Sequence, residues 1–184
     1  MAILLSIKAA KPFVERVIKA DGGVDNITVG VKAYSPQEVD IIREDFLSKV
    51  NTSKLQRAQA KLDALNKDIS IDEEVYEAES LRLESIIREG YKALEEYQNK
   101  FCKEHIAYIK NASLTTQEDT TVNSILVKDT REATPIESLW ETPEQCLAAL
   151  LDVYLSSPFY KDSLYRQIPS IVFNTDLKGE QLKN

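Results

Sequence analysis

The side chains able to do chemistry in this chain are few and scattered. There is one histidine, His105, and there are two cysteines, Cys102 and Cys146, which share no motif. A nucleophile relay needs an imidazole placed beside a serine or cysteine, and a zinc site needs several thiolates or imidazoles at close spacing. Neither pattern occurs. His105 stands between Phe101 and Tyr108 at steps of four and three, the position of a packed, hydrogen-bonded seam residue. The cysteines read as small buried side chains of a reducing compartment. Asp72, Glu73 and Glu74 cluster at a helix start, where carboxylates complement the helix dipole. No Gly-x-Ser-x-Gly, His-Glu-x-x-His, Cys-x-x-Cys or EF-hand spacing is present. Five glycines, of which only Gly22 and Gly23 are adjacent, exclude a phosphate-cradling loop. The expectation is a protein with no catalytic residue, no cofactor site and no metal site, and therefore not an enzyme.

The charge points the same way. Thirty acids against 23 bases give −7, which opposes contact with phosphate backbones, so no nucleic-acid partner is expected. No apolar run approaches the ~20 residues of a membrane span, and Met1–Lys8 lacks the basic lead-in and apolar core of a signal peptide. A cytoplasmic protein without a membrane partner is expected. With 184 residues and 43% hydrophobic composition, the chain can bury a core of ordinary size.

These residues must be carried by an α+β fold, mainly α, with a small N-terminal antiparallel β element. Residues 1–34 form that element. Val29, Val31 and Ala33 alternate with Thr28, Gly30 and Lys32, the period of a half-buried strand. Pro12–Ile18 is a second strand, Ala20–Gly23 supplies turn chemistry, and Ile3–Ile7 is a candidate third strand. At Ser35-Pro36-Gln37-Glu38 a capping box with proline in the first helical position starts a helix. Residues 35–111 are expected to form a long antiparallel helical hairpin. Its first arm carries Val39, Ile42, Phe46 and Val50, with Asn51–Ser53 a point of bending or restart, then Ala58, Leu62, Leu65 and Ile69. The second arm, about Ile71 to Lys110, has a seam of Tyr76, Ser80, Leu83, Ile87, Gly90, Leu94, Tyr97, Phe101, His105 and Tyr108. Gly90 in that seam either admits a facing side chain at close range or is a glycine merely tolerated in a helix.

Residues 112–135 read as a polar, Thr-rich linker with a possible short strand at Ile125–Val127. Residues 136–174 hold a C-terminal pair of short helices packing on the N-terminal element. The first is opened by Thr142-Pro143-Glu144-Gln145, and the second is expected to kink or restart at Pro169. Residues 175–184 read as a flexible tail. The C-terminal block is rich in large apolar side chains, and Trp140, Phe159, Tyr160 and Leu164 are the candidates for a partner-binding surface.

The run Cys146-Leu-Ala-Ala-Leu-Leu-Asp-Val-Tyr-Leu-Ser-Ser-Pro-Phe-Tyr-Lys-Asp-Ser-Leu164, continuing to Ile171–Asn174, resembles the C-terminal helices of tail assembly chaperones of tailed bacteriophages. The strand leading into Ala33-Tyr-Ser-Pro-Gln-Glu38 is similar to the entry of the same proteins. Together these blocks cover about a third of the chain, and the hairpin of residues 36–110 is longer than that family would have. The resemblance implies a non-enzymatic factor in the cytoplasm of an infected bacterial host. Its partners would be the tape-measure protein, as client, and the tail-tube protein, whose assembly it promotes; self-association is also possible on the heptad pattern. The four candidates above would then bind client. The family is often made in two lengths by a ribosomal −1 frameshift, and Lys183-Asn184 is codable by a slippery run. Two other readings fit the residues: a structural coiled-coil component of a virion or other complex, and an occluding regulatory or anti-defence protein.

Overall fold

A computed structural model describes residues 13–19, 26–68, 70–118, 121–135 and 139–174. Four strands, β1 (Phe13–Ile18), β2 (Ile27–Lys32), β3 (Ile106–Glu118) and β4 (Thr121–Asp129), form one antiparallel sheet in the order β1-β2-β3-β4. Between β2 and β3 the chain forms α1 (Pro36–Lys49), α2 (Ser53–Leu65) and α3 (Glu73–His105). After β4, a 3-10 turn at Thr130–Glu132 leads to α4 (Pro143–Ser156) and α5 (Lys161–Asn174). The chain divides into two compact units, residues 41–100 and the remainder.

In the sheet unit, one face is apolar and covered. Val14 and Ile18 of β1, Ile27, Val29 and Val31 of β2, and Ile106 and Ile109 of β3 are buried. Helix α5 lies against β1 and β2, and α4 against β3 and the 3-10 turn. Their buried positions, Cys146, Leu150, Leu151, Tyr154 and Leu155 on α4 and Leu164, Ile168 and Val172 on α5, recur at helical spacing and supply the second layer of the core. The Tyr154 hydroxyl meets the Ser113 backbone, at 3.2 Å from N and 3.3 Å from O, so α4 is tied to β3 by a polar contact as well.

Both expected capping boxes form. Ser35 N donates to Glu38 Oε2 at 2.9 Å and Glu38 N to Ser35 Oγ at 3.4 Å. Thr142 and Gln145 exchange the equivalent bonds at the start of α4, with Pro143 in the first turn. Asp72 caps α3, accepting from Glu74 N at 3.0 Å.

The expected architecture is corrected in four places. There is no uninterrupted long hairpin over residues 36–110: the first arm is two helices separated at Val50–Thr52, and α3 ends at His105, after which Ile106–Lys110 is strand. Asn51 Oδ1 accepts from Ser53 N at 3.0 Å, a local side-chain bond that competes with helix continuation. The C-terminal helices are not a pair set on the N-terminal strands alone: α5 lies on β1 and β2, but α4 lies on β3 and the 3-10 turn. The N-terminal strands are not a separate small element but half of a four-stranded sheet, and the expected linker is the outer part of β3 together with β4. Finally, α5 does not restart at Pro169 but runs through it, with Ile168 and Val172 buried beside it. The candidate strand at Ile3–Ile7, the turn at Ala20–Gly23 and the tail from Thr175 lie outside the described residues.

Candidate functional site

The structure separates the four side chains expected to bind client. Leu164 is fully buried at 0%, Trp140 is 4% exposed and Tyr160 6%. The indole N–H of Trp140 donates to the Thr134 carbonyl at 2.7 Å, and Tyr160 meets Tyr154 edge-on, with ring centroids 4.6 Å apart. These three are core. Phe159, in the turn between α4 and α5, is 48% exposed and alone of the four stands on the surface.

The other face of the sheet carries a polar cluster that the sequence did not announce, centred on a buried tyrosine. Tyr108 on β3 pairs with Gly30 on β2, and its ring lies flat over that glycine. A Cβ at position 30 would sit 2.1 Å from Tyr108 Cζ. Phe13 meets the ring edge-on at 5.5 Å, and the Arg131 guanidinium stacks on it at 3.7 Å. The Tyr108 hydroxyl donates to Glu15 at 2.6 Å, Lys110 pairs with the same carboxylate, and Arg131 is paired with Asp129. Burial, with the Glu15 hydrogen bond, pushes the Tyr108 phenol up to about 12. Hydrogen bonds from Lys110 and Tyr108 hold Glu15 below its usual range, and the Arg131 contact does the same for Asp129. These shifts fix each of the three in its ordinary charge state at neutral pH. The cluster is a clamp rather than a proton-transfer device.

His105 closes α3 where it runs into β3. Its Nδ1 lies 2.6 Å from the Tyr34 hydroxyl and its ring stacks on Phe101 at a centroid distance of 4.2 Å. A helix C-terminus favours imidazolium, but burial wins and lowers His105 to about 4. The neutral ring shares a hydrogen bond with Tyr34 whose direction its tautomer sets, and burial raises the Tyr34 phenol to about 12. The folded state resists a proton that the unfolded chain takes up near 6.5. The His105 contribution to stability is thus complete above that pH and declines as pH falls from 6.5 towards 4, by at most ~1.4 kcal/mol per pH unit. Urea titrations across that window should show the slope in the native protein and a flatter one in His105→Asn, which keeps a hydrogen-bond partner for Tyr34. Equal slopes would show that another group is responsible.

Burial also raises both cysteine thiols, Cys102 to about 12, and both are free and buried. Among the described residues no cluster of three or more His, Cys, Asp or Glu side chains could hold a metal ion, and no helix is long and apolar enough to cross a membrane.

In the helical unit, α3 runs antiparallel to α2. Leu55 packs onto Gly90, where a Cβ would come within 2.1 Å of its Cδ2, and the Tyr76 hydroxyl donates to Asn66 at 2.9 Å. Of its two readings, Gly90 thus has the close-approach role. Beside this contact lies a groove of about 260 Å³ with Leu55, Gly90, Ala93 and Leu94 on its walls and Lys49 and Lys54 among its lining. Comparison of the chain with protein-family models, curated proteins and solved structures finds no match.

Proposed function

We propose that this protein is a non-enzymatic tail assembly chaperone of a tailed bacteriophage, binding the tape-measure protein and promoting tail-tube assembly in the cytoplasm of the infected bacterium. The observation that carries this reading is the balance of apolar side chains in residues 41–100. Among the described residues there, Phe46, Leu55, Ala58 and Leu83 are buried, while Ile41, Leu47, Val75, Leu81, Ile86 and Tyr91 are exposed. Six large apolar side chains there are exposed against three that are buried, the other nine described ones being half-buried, which leaves accessible apolar surface of the kind that binds other helices. A tape-measure protein is a long, aggregation-prone helical chain. The resemblance of Cys146–Leu164 and Ala33–Glu38 to the chaperone family supplies the identity of that client.

Co-expression with tape-measure fragments and affinity capture tests the reading. The native chain should retain a fragment. Leu47→Glu and Leu81→Glu, changes at side chains 59% and 67% exposed, should release it while altering stability by no more than ~0.5 kcal/mol. Failure of the native chain to retain any tape-measure fragment would end the proposal.

A further inference from the structure

The heptad positions of α2 and α3 place opposite charges on opposite sides of their seam. Leu55, Ala58, Leu62 and Leu65 step along α2 by three and four, as do Tyr76, Ser80, Leu83, Ile87, Gly90 and Leu94 along α3. In an antiparallel pair, like flanks of the two seams meet. Lys54 and Lys61, each one position before a seam residue of α2, therefore share a side with Glu79, Ile86 and Ala93 of α3, and the one acid among these, Glu79, is already paired with Arg82 at 3.0 Å. Glu77, Glu84 and Tyr91, each one position after a seam residue of α3, share the other side with Gln59 and Asn66. The groove lining agrees, since it brings Lys54 and Ala93 together. Lys54, Lys61, Glu77 and Glu84 are all exposed, and none has an ion-pair partner among the described residues. The groove opens on the basic side with Lys49 and Lys54 in its lining. Tyr91, 56% exposed, stands in line with Glu84 on the acidic side.

We infer that copies of this chain associate through the helical unit, the basic side of one against the acidic side of the next, with Tyr91 of one copy entering the groove of its neighbour. Charge decides between the possible pairings. A two-fold contact through either side would set bases on bases or acids on acids, whereas basic on acidic satisfies both. Such a contact is heterologous: each added copy leaves one basic and one acidic side open, so association continues until a ring closes or a filament grows. The inference does not rest on the tail-assembly reading and applies equally to a chain with no phage client.

Sedimentation velocity over a wide concentration range, at low and at high salt, tests it. The native chain should show concentration-dependent species larger than a monomer at low salt, weakened as salt rises. Lys54→Glu with Lys61→Glu makes both sides acidic, and Glu77→Lys with Glu84→Lys makes both basic. Each double variant alone should sediment as a monomer, and an equimolar mixture should associate again. Tyr91→Ala should raise the apparent dissociation constant about tenfold or more. Far-UV circular dichroism establishes that each variant keeps its helices; where a charge reversal unfolds the unit, Tyr91→Ala and the salt response carry the test. A native chain that stays monomeric throughout would overturn the inference. So would folded variants that associate as the native chain does, or a mixture of folded variants that stays apart.

Discussion

Gly30→Ala should destabilise the protein by about 3 kcal/mol, a large effect for one methyl group. Ordinarily, replacing glycine by alanine in a strand is neutral or helpful, because the unfolded chain has less entropy to lose. Here the methyl would lie 2.1 Å from Tyr108 Cζ and 2.2 Å from Cε1, deep in overlap with the hydroxyl end of the ring. The ring cannot swing aside freely. Arg131 covers it at 3.7 Å, Phe13 abuts its edge and Glu15 accepts its hydroxyl proton at 2.6 Å. Moving Tyr108 abandons all three contacts and forces the carboxylates and cations around it to rearrange. The melting temperature should fall by roughly 6–12 °C, on the scale of 2–4 °C per kcal/mol for a chain of this size. Tyr108→Ala removes the obstruction, so the double variant should be more stable than the sum of the two single losses, with a coupling of about 1–3 kcal/mol. Additive losses would show that the ring does not rest on Gly30.

That pairing also shows what the sequence could and could not disclose. Local signals were legible: the caps at Ser35 and Thr142 and the alternation along β2 depend on residues within a few positions of one another. Gly90 could be placed on a seam by the periodicity of α3 itself, but its partner Leu55 was not among the expected seam residues of the first arm. The helix-to-strand change at His105–Ile106 was not legible, and the reason is a bulge. Gly30 pairs with Tyr108 but Val31 with Ile106, so Ala107 is an extra residue. Ile106 and Ile109 are thereby both buried on the covered face, at a separation of three that imitates a helix. The Tyr108 clamp draws on Phe13, Glu15, Gly30, Lys110, Asp129 and Arg131, which only the sheet register brings together. Likewise, the aromatic surplus around Trp140 and Tyr160 could be counted in the sequence but not assigned to core or surface. That choice depended on how much sheet there was to cover, and the sheet has four strands rather than two or three.

That assignment leads to a second large effect. Leu164→Ala should cost about 2–5 kcal/mol, because the side chain is fully buried between α5 and the sheet and its removal leaves a cavity in a packed layer. Phe159→Ala, by contrast, removes a ring that is nearly half exposed and should cost less than about 1 kcal/mol. Trp140 belongs with Leu164: truncation loses the buried ring and leaves the Thr134 carbonyl without its 2.7 Å donor, so a loss of about 3–5 kcal/mol is expected. The ordering matters for function as well as stability. A client-binding role for this region can be isolated only at Phe159, where binding and folding can change separately. Thermal melts of the three alanine variants, read beside client capture, decide the matter. Loss of capture by Phe159→Ala at an unchanged melting temperature assigns that ring to the client. Capture that fails only in Leu164→Ala and Trp140→Ala, together with their stability, returns the whole block to the core of the sheet.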